Sequence, residues 1–185
     1  HLSAAEIEQI LPEFITNPCP PYRMLAITFT NKAAGEIKNR LVAQFADETL
    51  AKDIWSGTFH SVCMRILRTY GDRIGLGSGF TIYDTDDSKS AINNIVKSLN
   101  LDQKEYKANF VLSRISMAKS NLFSPEDYCN NVEIQQADKT ARKPEIGRIY
   151  SLYNQRLRQS MAMDFDDLLY NMNILLRDFP DVLYK

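Results

Sequence analysis

Leu25-Ala26-Ile27-Thr28-Phe29-Thr30-Asn31-Lys32-Ala33-Ala34-Gly35-Glu36-Ile37-Lys38-Asn39-Arg40-Leu41 joins an apolar, strand-like run to a helical one through a polar elbow. Met24 to Thr28 has the length of a short buried strand. Ala33 to Phe45 follows with Ile37, Leu41 and Phe45 on one helical face. In an open α/β sheet, ligands bind just beyond the carboxyl ends of the strands, and a helix starting there aims free backbone N–H groups and its positive dipole end at any anion. Thr28, Thr30, Asn31 and Lys32 add side-chain donors to that spot. An ordinary β–α turn, with Thr and Asn capping the helix, uses the same residue types.

The alternation repeats further along. Ile54-Trp55-Ser56-Gly57-Thr58 reads as a second strand, and Phe59, Val62, Cys63, Ile66, Leu67 and Tyr70 form an apolar helical stripe behind it. Strand, elbow and helix occurring twice argue for parallel strands with crossover helices over residues up to about 83, where Phe80-Thr81-Ile82-Tyr83 reads as a third short strand. Upstream, Ile7, Ile10, Leu11, Phe14 and Ile15 recur at helical spacing before the breaker Asn17-Pro18-Cys19-Pro20-Pro21.

From Asp84 the texture becomes helical. Asp84 with Asp87 makes a capping pair for a helix lined by Ala91, Ile92, Ile95, Val96 and Leu99. Ser124-Pro125-Glu126-Asp127 is a second strong start, and Pro144 precedes a helix carrying Ile146, Ile149, Tyr150, Tyr153 and Leu157. Asp164 heads a last helix with the stripe Phe165, Leu168, Leu169, Met172 and Leu176, which returns to the α/β part.

Composition excludes several classes. The chain has 185 residues, 44% of them hydrophobic and 24% charged, an ordinary globular balance with no apolar run near the roughly 18 residues that span a bilayer. Cys19, Cys63 and Cys129 are distant and odd in number, so neither a disulfide framework nor a zinc spacing emerges and a reducing cytoplasm is the default. The N-terminus lacks the pattern of a signal peptide, and a leading His1 without Met suggests an excised piece of a longer chain. A net charge of −1 gives no global pull toward nucleic acid. Charge is nevertheless uneven: Lys139, Arg142, Lys143, Arg148, Arg156 and Arg158 face one acid, Glu145, and from Tyr106 to Ser124 the only charges are Lys107, Arg114 and Lys119. Either stretch suits a phosphate backbone or a solvated helix face.

Chemical constellations are few. The paired aspartates suggest a metal site or a general acid and base, but their spacing favours helix capping. Gly75-Leu76-Gly77-Ser78-Gly79 is not a phosphate loop, because no Gly-Lys-Ser/Thr follows and it leads into a strand. With His60 the only internal histidine, no Ser-His-Asp or Cys-His arrangement stands out. No catalytic residue, cofactor-binding residue or metal ligand is assigned.

Four strings, in order, resemble the UvrD/PcrA/Rep-type DNA helicases. They are Thr28-Phe29-Thr30-Asn31-Lys32-Ala33-Ala34 with Glu36, Arg40 and Leu41; Gly57-Thr58-Phe59-His60-Ser61 with Arg65 and Arg68; Phe80-Thr81-Ile82-Tyr83-Asp84 with Asp87 and Ser88; and Met163-Asp164-Phe165-Asp166-Asp167-Leu168-Leu169. The resemblance implies an α/β, predominantly helical fold: a partial RecA-like parallel sheet, residues 1–84 and 161–185, with an all-helical subdomain inserted at 85–160. It implies part of an ATP-dependent 3′-to-5′ helicase and translocase, with ATP and Mg2+ as cofactors of the intact parent. Neither is expected on this chain alone, because the Gly-Lys-Thr loop and the later Asp-Glu strand of the family are missing and the isolated chain should not hydrolyse ATP.

The implied partners are single-stranded DNA, the duplex junction and the remaining helicase domains, with self-association through open sheet edges when the chain stands alone. Phe29 is the residue to stack on a base. Thr28, Thr30, Asn31, Thr58, His60 and Ser61 are expected to hold phosphates or sugars, Lys32 to add charge, and Lys119 to reach DNA from the insertion, although Ser120 stands where relatives tend to carry Asn. Arg65 and Arg68 are expected to pack or pair along their helix. Two other readings fit parts of the pattern: an AddA/RecB-like helicase-nuclease, and a non-enzymatic helical interaction domain in which the motifs are only caps and core.

Overall fold

Leu25–Thr28 (β1) and Trp55–Thr58 (β2) pair in parallel, with Leu25 opposite Trp55 and Thr28 opposite Thr58. Parallel strands need a crossover, and the intervening chain supplies it as helices Asn31–Phe45 (α1) and Glu48–Asp53 (α2). On α1, Ala33, Ala34, Ile37, Leu41 and Val42 are partly covered while Lys32, Glu36, Lys38 and Arg40 are exposed, the amphipathic division expected from the spacing. The computed structural model describes residues 19–45 and 48–184, with residues 3, 6 and 9. The helix expected over Ile7 to Ile15 and its Asn17-Pro18 stop lie outside the described residues, as does the side chain of Phe45.

The chain divides into two units, His1–Val62 and Cys63–Lys185. In the first, Ala51, Ile54 and Val62 are buried around the β1–β2 pair. The division falls inside helix Phe59–Tyr70 (α3). In the second, Cys63 and Leu67 join Phe80, Met163, Leu168, Leu175 and Val182 in one core. The strand expected near Phe80 forms as Thr81–Ile82 (β3), and its parallel partner is Ala162–Met163 (β4), with Thr81 opposite Ala162. That partner was invisible in the sequence because two residues carry no periodicity.

Helices Thr85–Ser98 (α4), Ala108–Ser120 (α5), Pro125–Asn130 (α6), Val132–Thr140 (α7) and Ile146–Gln159 (α8) fill the stretch between β3 and β4. Their apolar stripes close a second core around Ile92, Val96, Val111, Ile115, Ile149, Tyr150, Tyr153 and Leu157. Phe165–Asp178 (α9) and Pro180–Leu183 (α10) complete the chain. The fold is α/β and predominantly helical. Among the described residues no helix is long and apolar enough to cross a membrane.

The aspartate pairs prove to be capping boxes. Asp84 accepts from the Asp86 and Asp87 N–H groups while Asp87 accepts from the Asp84 N–H; Ser124 with Asp127 and Asp164 with Asp167 repeat the exchange. Their oxygens are occupied by orphan helix N–H donors, and among the described residues no group of three or more His, Cys, Asp or Glu gathers as a metal site would.

Candidate nucleic-acid interface

In-register parallel pairing sets the geometry of the two elbows. Because Thr28 lies opposite Thr58, both strands end at one rim, and both following helices start there. Thr30 caps α1: its hydroxyl accepts from the Ala33 N–H at 3.2 Å and its carbonyl from the Ala34 N–H at 3.0 Å. Thr58 does the same for α3, its hydroxyl accepting from the Ser61 N–H at 3.3 Å while the Ser61 hydroxyl donates to the Thr58 carbonyl at 2.8 Å. Gly57 leaves room for the Ser61 hydroxyl in this position, since a Cβ there would stand 2.5 Å from Ser61 Oγ.

Neither α1 nor α3 has an acid in its first turn, whereas α4, α6 and α9 each carry two. An acid in the first turn neutralises the positive end of the helix. The two elbows therefore keep an anion-attracting field that the starts of α4, α6 and α9 give up, a property they share with α5 and α8, which also lack first-turn acids.

Phe29 projects from this rim with 85% of its surface exposed, and its ring centroid lies 5.0 Å from that of Phe59, tilted by 34°. Phe59 was read from the sequence as part of an apolar stripe and of the second family string, and was given no DNA-binding role. The signal that would have found it is the doubled Thr-Phe pair, Thr28-Phe29 and Thr58-Phe59, which parallel pairing superimposes. Of the residues selected from the sequence, Phe29, Thr30, Asn31, Lys32 and Ser61 are exposed, and Thr28, Thr58 and His60 are half-buried, all on these two elbows.

Lys119 is not with them. It sits in the last turn of α5, 3% exposed, with Nζ 2.7 Å from Asp164 Oδ2 and 2.8 Å from Asp167 Oδ1. The Tyr153 hydroxyl also donates to Asp164 Oδ2, at 2.9 Å. Two carboxylates enclose one ammonium. Burial pushes the Lys119 pKa down, but the Asp167 and Asp164 charges outweigh it and the net direction is up. Burial and the neighbouring Asp164 charge hold Asp167 above the usual carboxylate range despite Lys119. A side chain so enclosed presents no charge to a phosphate, so the expected DNA contact is replaced by a tie between the two cores of the second unit. Arg68 packs on a residue outside its helix, its guanidinium 5.6 Å from the Phe80 ring centre.

The profile of the UvrD/REP helicase N-terminal domain family matches residues 7–185. The chain belongs to this family. It is similar to the ATP-dependent DNA helicase PcrA of Leuconostoc citreum, 39% identical over 165 residues that cover 89% of this chain and 21% of that protein. Similarity to the protein of the same name from Staphylococcus aureus (strain Mu50) is 40% over 163 residues, 88% of this chain and 21% of that one. The chain thus spans about a fifth of the length of these UvrD/REP-family relatives.

A nucleotide with its metal does not fit the residues at hand. The sequence has no Gly-Lys-Ser/Thr loop, the glycine-rich turn at 75–79 leads into β3 rather than a helix, and the aspartates that resemble metal ligands are committed to helix caps and Lys119. No step through ATP is derived from them.

Proposed function

We propose that this chain is the strand-gripping part of the first motor domain of an ATP-dependent DNA helicase that translocates 3′-to-5′ along single-stranded DNA. The observation that carries the reading is the rim itself: two in-register elbows, each a Thr-Phe pair followed by a helix start without acids, with Phe29 standing 85% exposed between solvent and Phe59. Stacking on Phe29 is indifferent to base identity, as translocation requires. Thr28, Thr30, Asn31, Thr58, His60 and Ser61 hold phosphates or sugars, and Lys32 in the first turn of α1 adds charge.

Residues 1–84 and 161–185 belong to the motor core and 85–160 to the helical insertion. In support, β1 to β4 all fall within the first two segments, and the described part of the third holds α4 to α8 without a strand. The open edges of β1 and β2 are covered in the parent by its other parts. The exposed Lys139, Arg142, Arg148, Arg156 and Arg158 face the duplex ahead of the fork, while ATP and Mg2+ are handled by segments beyond these 185 residues.

Binding of the chain to labelled oligothymidylate over a range of salt concentrations tests the reading. Affinity should fall as salt rises, and Phe29→Ala should weaken it by about 5- to 100-fold, the worth of one stacked base. Absence of binding, or binding insensitive to both changes, would instead favour a helical interaction module.

A further inference from the structure

We propose that Phe59 is a positioning residue of the single-strand grip: it backs the Phe29 ring, so that one nucleobase stacks on the outer face of Phe29 and none enters between the two rings. The proposal rests on the strand-gripping reading and adds to it a residue and a stacking order. Neighbouring strands lie about 4.8 Å apart, and the rings that follow Thr28 and Thr58 have their centroids 5.0 Å apart. Strand pairing thus delivers the two residues to neighbouring positions, and their rings meet there.

That spacing decides the order of the stack. Carbon layers in contact are separated by about 3.5–4.0 Å, so a base held between two rings needs them about 7 Å apart. At 5.0 Å and a 34° tilt the gap is closed. The outer face of Phe29 is open, since that side chain is 85% exposed, whereas Phe59 is 38% exposed and anchored as the first residue of α3. A ring on a turn between strand and helix rotates freely unless something fixes it. Phe59 removes that freedom before the base arrives, and preorganisation of this kind lowers the entropic cost of binding.

A double-mutant cycle on the full 185-residue chain tests this, with affinity for labelled oligothymidylate and thermal unfolding as readouts. Phe59→Leu keeps the apolar bulk at the helix start and removes the ring; it should weaken binding by about 2- to 10-fold with little change in melting temperature, and Phe59→Tyr should retain wild-type affinity. In a Phe29→Ala background, Phe59→Leu should have no further effect, because it acts through Phe29. As a check within the folded population, Phe29→Trp should show emission quenched by saturating oligonucleotide, and Phe59→Leu should reduce that quenching. Full additivity of the two losses, or an unchanged affinity and quenching in Phe59→Leu while Phe29→Ala weakens binding, overturns the backing role alone. An unchanged affinity in Phe29→Ala overturns the gripping reading with it.

Discussion

Lys119 shows how a single residue changes meaning between sequence and structure. In the sequence it is one of three cations in a stretch without acids; in the fold it is enclosed by Asp164 and Asp167 within 2.8 Å. Breaking a buried ion pair by removing one partner costs about 3–5 kcal/mol, because the remaining charge stays buried and uncompensated. Lys119→Met should therefore lower the melting temperature by about 10 °C for a chain of this size, measured by circular dichroism. The pH dependence has a definite sign. The folded-state pKa of Lys119 is raised above its ordinary 10.5, so its stabilisation is complete below that value and is lost as pH rises through the alkaline range above it. In Lys119→Met the dominant group becomes Asp167, already raised by burial and now without its cation. That variant should regain stability toward wild type as pH falls from neutral into the carboxylate range, in urea titrations at pH 7.5 and 4.5.

At the scale of elements, two sets of helix starts contrast. Those of α4, α6 and α9 are closed by capping boxes and two acids in the first turn; those of α1 and α3 are capped by threonines and carry none. Acids near a helix N-terminus contribute about 0.3–1 kcal/mol each, so α1 and α3 forgo stability that α4, α6 and α9 have. Lys32→Glu tests the reason. It should raise the melting temperature slightly while weakening oligonucleotide binding at low salt for all base compositions alike. A gain or no change in affinity would show that the open helix starts do not serve an anion. The capping boxes were legible in advance because they are local: Asp84 with Asp87, Ser124 with Asp127 and Asp164 with Asp167 are three residues apart, and three-residue spacing is itself the geometry of the first helical turn.

For the whole molecule, charge and completeness set the expectations. Net charge is −1, so on the proposed reading attraction for DNA would have to come from the local field at the rim and the basic 139–158 stretch rather than from the protein at large. The family relationship makes the relatives' ATP dependence relevant, yet the lysine and acidic groups that stabilise charge in phosphoryl transfer have no counterpart among the residues described. The isolated chain should show no DNA-stimulated ATP turnover in a phosphate-release assay, and measurable turnover that survives repurification would overturn this.

The sequence by itself determined what is local: the two strand–elbow–helix words, the capped starts, the apolar stripes from Ala91 to Leu157, and the four ordered strings that point to the UvrD/REP family. Such features depend on contacts three or four residues apart, and periodicity and capping spacing report those directly. Tertiary structure alone decided that β3 pairs with the two-residue β4, that Thr28 stands opposite Thr58 and so brings Phe29 onto Phe59, and that Lys119 is buried against two carboxylates. Each of these joins residues far apart in the chain. Their energies come from register, packing and desolvation, which no window of sequence contains.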